Sequence, residues 1–238
     1  MIRTVLTFIL TFAYIFVVGG PFLLYALISR RTDALYRVGL LGARMALWLA
    51  GVRMEVTSKE KIPAGQALVF MANHQSNADP PAIFVNLPPV LVMTKKEFFR
   101  VPVLGPAVRL RGFVPVDRQN RERAVEAVEE AVRSLRSGNS FLVFPEGTRS
   151  PDGRLQRFKK GAFLMAVKSR TPVVPVSISG SRFIMPKGKN TLHPGVIRIT
   201  FHDAVPAEEF GIDKLTELQA RVRQAIASAL TPEEQPLD

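Results

Sequence analysis

The segment TVLTFILTFAYIFVVGGPFLLYALI, Thr4 to Ile28, constrains this chain more than any other part of it. It carries no charged residue, and its length matches a bilayer core of roughly 30 Å. Gly19-Gly20-Pro21 interrupts it. Pro21 has no N–H with which to complete a helical ladder, so a break is predicted there. A second apolar segment, Ala34 to Gly51, carries Arg37 and Arg44 and suits the membrane interface better than its centre, with Trp48 at headgroup level. Arg30 and Arg31 between the two favour a cytoplasmic position for the rest of the chain. Residues 1–51 therefore read as a two-helix membrane-docking segment, either spanning once or inserted in one leaflet. The alternatives are a cleaved leader, for which VVGGP is a poor cleavage site, and a buried core helix.

The remainder is globular in composition, and 238 residues suffice for one domain with a sizeable core. Thirty-two Lys and Arg against 20 Asp and Glu give a net charge of +12, which points to an anionic partner. Beside so apolar a start, that partner is phospholipid rather than nucleic acid, since each basic side chain near an anionic leaflet adds about 1 kcal/mol. The absence of cysteine excludes disulfides, thiol nucleophiles and thiolate metal sites.

From residue 52 to about 230 the chain alternates strand-like and helix-like stretches. Strands are predicted at 53–58, 67–72, 90–94, 140–144, 173–179 and 196–202, with a further strand-like run in GFVPVDR. A helix capped by Asn120 runs to about Ser137 with Ala124, Val125, Val128, Val132 and Leu135 on its apolar face. Others lie near 160–170 and from Asp213 to Leu230. The fold class is α/β, a mainly buried β-sheet covered by helices. Residues 231–238 read as a flexible tail.

His74 and Asp79 stand in MANHQSNADPP. In a regular helix a five-residue offset would leave them about 140° apart, so they meet only if a loop precedes a helix that starts at Asp79. Pro80 supports that start, since proline favours the first helical position. Asp79 could then cap the helix with one oxygen and orient the imidazole with the other. An oriented imidazole is a general base. No G-x-S-x-G elbow, H-E-x-x-H, Walker loop or G-x-G-x-x-G is present, and Ser76 lacks a nucleophile elbow, so the proton is taken from the substrate's own hydroxyl. A structural histidine with a capping aspartate is the plain alternative. His193, in a turn, and His202, at a strand end, read as structural. FPEGTRS ends a buried strand, where sites on α/β sheets form, and Arg149 can grip a phosphate with two donors.

Four blocks in order, NHQSNAD, GFVPVDR, FPEGTRS and VVPVSI, resemble those of the glycerolipid acyltransferase family with its H-x4-D motif, and bacterial 1-acylglycerol-3-phosphate acyltransferases in particular. The resemblance covers residues 70 to 180, and Pro115 departs from the second block. It implies that His74 deprotonates a glycerol hydroxyl with Asp79 orienting it. It also implies that Arg118, Glu146, Gly147, Thr148 and Arg149 bind the phosphate and glycerol, with Lys95 or backbone amides near Gly147 as oxyanion or phosphate donors. The implied acceptor is lysophosphatidate and the donor acyl-CoA or acyl carrier protein, with no further cofactor and no metal. The partners would be a phospholipid membrane and these substrates, not nucleic acid. The implied location is the inner (cytoplasmic) membrane with the catalytic domain on the cytoplasmic side. A different lysolipid or glycerol 3-phosphate as acceptor, a lipid hydrolase using Ser76, and a non-catalytic basic membrane protein are the competing readings.

Overall fold

The structure, a computed structural model, describes residues 1–117 and 119–236. The apolar start forms helices α1 (Ile2–Tyr14) and α2 (Gly20–Ser29), joined by a π-helical turn at Ile15–Gly19 into one helix of 28 residues. The break expected at Gly19-Gly20-Pro21 does not occur. The wider turn just before Pro21 is how a helix absorbs a proline that lacks its N–H and crowds the preceding carbonyls. Arg30, left-handed at φ 56°, ends this helix, and α3 (Asp33–Leu49) returns against it. Gly42 is required at their crossing, since a Cβ there would lie 2.6 Å from the Tyr14 ring, whose hydroxyl donates to the Val38 carbonyl at 2.9 Å.

Seven strands come next, interleaved with helices: β1 (Val52–Thr57), β2 (Val69–Ala72), α4 (Asp79–Phe84), β3 (Val90–Lys95), α5 (Leu104–Arg111), β4 (Val114–Val116), α6 (Arg121–Arg136), β5 (Ser140–Val143), α7 (Lys160–Ser169), β6 (Val173–Ser179), α8 (Ser181–Ile184), β7 (Gly195–Phe201) and α9 (Leu215–Ala227). The sheet order is β1-β7-β6-β2-β5-β3-β4. The five strands from β6 to β4 are mutually parallel, and β7 runs antiparallel to β6. The loops after β2, β3, β4, β5 and β6 therefore gather at one edge of the sheet. β4 is the outermost strand, which explains why Pro115 is tolerated within it: an edge position needs no ladder donor.

The pleat sorts the core onto two faces. Val69, Met71, Phe141 and Val143 pack under α6, α7 and α9, whereas Phe70, Ala72 and Leu142 face α3, α4 and α8. Leu47 of α3 belongs to that second layer, so the returning helix is built into the domain on one side while Leu41 and Trp48 stay exposed on the other. The sequence places Val125 on the buried face of α6, yet it is exposed, and Ala127 and Ala131 take its place. Small residues let α6 approach the sheet closely and rotate the face that is buried. The last residues differ more from expectation. Rather than fraying, 231–236 fold back through a capping box at Thr231, and Glu234 is buried.

Leu135→Ala, at a fully packed position, should destabilise the protein by about 2–5 kcal/mol. Val125→Ala should change it by no more than about 0.5 kcal/mol. Chemical unfolding of the two variants separates these outcomes.

Candidate active site

β2 ends at Ala72, and the next residues turn away from the sheet. Asn73 secures the departure: its side-chain amide donates to the Ile178 carbonyl and its carbonyl accepts the Ile178 N–H, both at 2.7 Å. The loop beyond it winds around one oxygen. Asp79 Oδ2 accepts His74 Nδ1–H at 2.8 Å and the backbone N–H groups of Gln75 and Ser76 at 2.6 and 2.7 Å. Asp79 is fully buried and occupies the first turn of α4. It does not cap α4 as expected. Its carboxylate serves the loop before the helix, while Oδ1 has no protein partner among the described residues.

The imidazole of His74 lies stacked on Phe144, with ring centroids 4.3 Å apart. Its side chain is 15% exposed, so one ring edge reaches the surface. With Nδ1 engaged, Nε2 is the nitrogen left to act, and no described side chain or backbone group is bonded to it. Ser76 offers no competing nucleophile. It is fully buried, its hydroxyl donates to the Met185 carbonyl at 3.0 Å, and it accepts the Ala78 N–H at 3.1 Å.

The turn after β5 locks onto this loop. Glu146 Oε1 accepts the His74 N–H at 2.8 Å, and the His74 carbonyl accepts the Ser150 N–H at 2.7 Å. The motif resemblance gives Glu146 to the phosphate and glycerol, whereas here it holds the backbone of the histidine. Burial pushes its carboxyl up to about 8, against the lowering effect of its backbone hydrogen bonds and the distant Arg223. Gly147 adopts φ +73°, a backbone conformation that side-chain-bearing residues rarely take, so the turn favours glycine. Thr148 is exposed and Arg149 half-buried. The Arg149 carbonyl accepts from Lys187 Nζ at 2.6 Å, and its guanidinium makes no hydrogen bond or ion pair among the described residues.

Lys95 closes β3 at the same sheet edge, exposed and unbonded to His74. Its neighbour Lys96 does more: it donates to Asp117 Oδ2 at 2.7 Å, joined by Arg123 at 3.7 Å, and this contact holds the Asp117 carboxyl below the usual carboxylate range. Arg118 lies outside the described residues. His202 bonds Ser177 through Nε2 at 2.7 Å and, with its pKa lowered chiefly by burial, stays apart from this loop cluster. His193 is exposed. No group of His, Asp and Glu suited to a metal occurs among the described residues.

A buried carboxylate that gathers a histidine and its loop, next to a glycine turn and an arginine, suits acyl transfer to a hydroxyl. The acyltransferase family's sequence profile matches residues 53–179, and the chain belongs to that family. A 1-acyl-sn-glycerol-3-phosphate acyltransferase of Pseudomonas aeruginosa is 30% identical over 236 residues, covering 96% of this chain and 90% of the relative. One from Chlamydomonas reinhardtii is 35% identical over 183 residues, where the match spans 76% of this chain and 54% of the algal protein. The crystal structure of the 1-acyl-sn-glycerophosphate acyltransferase from Thermotoga maritima superposes with a TM-score of 0.82 at 31% identity, covering 94% and 92% of the two chains.

Because Glu146 is raised from 4.5 to about 8 in the folded state, the fold binds its proton more tightly than the unfolded chain does. Its contribution is therefore complete below about pH 4.5 and lost as the pH rises toward 8. Glu146→Gln keeps an acceptor for the His74 N–H but cannot ionise. Its stability relative to wild type should rise between pH 5 and 8 by an amount on the order of a few kcal/mol. Parallel pH profiles of unfolding for the two proteins would contradict this.

Proposed function

We propose that the protein transfers a fatty acyl group from an acyl thioester to the free hydroxyl of 1-acylglycerol 3-phosphate, giving phosphatidic acid. The observation that carries this reading is the 2.8 Å contact between His74 Nδ1 and Asp79 Oδ2. By accepting Nδ1–H, Asp79 fixes the tautomer whose Nε2 lone pair is free. Nε2 removes the glycerol hydroxyl proton as the oxygen attacks the thioester carbonyl, forming the C–O bond. The tetrahedral oxyanion collapses, the C–S bond breaks, and the imidazolium returns its proton to the departing thiolate. Acid–base action of this kind supplies roughly 10²–10⁴-fold. The donor thioester is a co-substrate, and the transfer as written consumes no other cofactor.

Arg149 is the cation best suited to the acceptor's phosphate, because its planar fork has no partner among the described residues and adjoins the turn held to His74. We assign Lys95, at the end of the neighbouring strand, to the same anionic group. Membrane association fits the acceptor, whose tail lies in a bilayer. Along the long first helix Ile2, Val5, Leu6, Ile9, Phe12, Phe16, Val17 and Ile28 are exposed, and Trp48 of α3 is 75% exposed. That surface seats in the cytoplasmic leaflet, with the sheet edge bearing His74 facing the same boundary. The hydrolase reading through Ser76 is disfavoured by the burial and hydrogen bonding of that hydroxyl.

Thiol release from acyl-CoA in the presence of lysophosphatidate tests the activity. His74→Ala should lower turnover at least 100-fold while remaining folded. Arg149→Ala should raise KM for lysophosphatidate about 10-fold or more and leave use of an uncharged lysolipid unchanged. Free fatty acid as the sole product, or unaltered turnover in His74→Ala, would refute the reading.

A further inference from the structure

The C-terminal segment makes contacts that the transfer step does not itself explain. Glu234 is only 2% exposed, and no cation pairs with it among the described residues. Its carboxylate instead accepts three hydrogen bonds: from Gly180 N–H at 2.9 Å, Ser179 Oγ–H at 2.6 Å and Thr231 N–H at 3.2 Å. Its backbone carbonyl accepts a fourth, from Leu155 N–H at 2.9 Å. A buried carboxylate without a counter-charge is costly unless every bond it makes is well formed.

These contacts converge on one residue of the histidine loop. Gln75 is buried, and both ends of its side-chain amide are held. Nε2 donates to the Gly153 carbonyl at 2.9 Å and Oε1 accepts from Ser181 Oγ at 3.3 Å. Ser181 is the next residue after Gly180, which the Glu234 side chain grips. Gly153 lies two residues before Leu155, which the Glu234 backbone grips. Gly180 is left-handed at φ +81° and packs so closely that a Cβ would sit 2.6 Å from the Val196 carbonyl, leaving that turn little room to relax in place. The Gln75 N–H, in turn, is one of the three donors on Asp79 Oδ2. The same α8 turn carries Met185, whose carbonyl takes the Ser76 hydroxyl.

We propose that Glu234 is a positioning residue for acyl transfer, clamping the two segments that hold Gln75 and thereby setting the loop that presents His74. The effect on turnover rests on the proposed acyltransferase activity, whereas the effect on the loop does not. Glu234→Ala should reduce kcat about 10- to 100-fold per folded molecule with KM for lysophosphatidate within about twofold, since small misplacements of a reacting group carry losses of that order. Glu234→Gln keeps one side-chain acceptor oxygen and should recover part of the loss, and Ser179→Ala should show a smaller fall of the same kind.

Two further readouts separate positioning from plain stabilisation. Leu135→Ala lowers stability from α6, which makes none of the hydrogen bonds that hold Gln75, and, assayed well below its own unfolding transition, should keep wild-type kcat. Hydrogen exchange at the amides of Gln75, Ser76 and Gly153 should quicken in Glu234→Ala but not in Leu135→Ala. Should Glu234→Ala not fold, Glu234→Gln and Ser179→Ala carry the same comparison. Wild-type kcat and wild-type exchange at those amides in folded Glu234→Ala, or in both Glu234→Gln and Ser179→Ala where Glu234→Ala does not fold, would overturn the proposal. An inactive wild-type protein would sink the acyltransferase reading instead, and the exchange comparison would then decide the role of Glu234 alone.

Discussion

Asp79 Oδ2 is the atom on which the site depends. Three donors converge on it, one from the imidazole and two from the backbone between the histidine and the aspartate. Without that oxygen, the Gln75 and Ser76 N–H groups would be buried donors without partners, at a cost of about 1–3 kcal/mol each. The same oxygen therefore folds the loop and orients the ring. Carboxylates suit this task because an ionised one only accepts, and it can take several bonds at once.

The parallel sheet makes the arrangement possible. Neighbouring strands β2 and β5 deliver the histidine loop and the glycine turn side by side, and β3 and β4 bring Lys95 and Asp117 to the same edge. Glu146 then joins the first two loops through the His74 N–H. Its burial in that joint, next to the charge of Asp79, is why its proton is held to about pH 8. The first helices serve a different end. α3 is part of the core through Leu47, so the apolar surface it forms with α1 and α2 is joined to the domain by packing as well as by the chain.

Much of this was legible in the residues. Alternating apolar runs and turn residues mark the strands, and Pro80 marks the start of α4 closely enough to place His74 in a loop beside Asp79. What escaped were effects of tertiary contact. Gly19-Gly20-Pro21 reads as a break because local rules do not anticipate a π turn. Val125 and Ala127 exchange roles on α6 because the depth of helix–sheet packing, not periodicity alone, selects the buried face. The resemblance gives Glu146 to the phosphate and glycerol, and its bond to the His74 N–H, 72 positions away, is not readable from the residues. Glu234 sits in a polar, acidic tail that reads as flexible; Thr231 supplies one local donor, but the Ser179 and Gly180 donors exist only once the β6 turn is assembled.

The central claim is that Asp79 holds the neutral imidazole of His74 as the Nδ1–H tautomer, leaving Nε2 as the base. Nitrogen NMR of histidine-labelled protein measures this directly, with His193 and His202 assigned by substitution. In the neutral ring of His74, Nδ1 should be protonated and Nε2 unprotonated. A neutral ring protonated at Nε2 instead would contradict it.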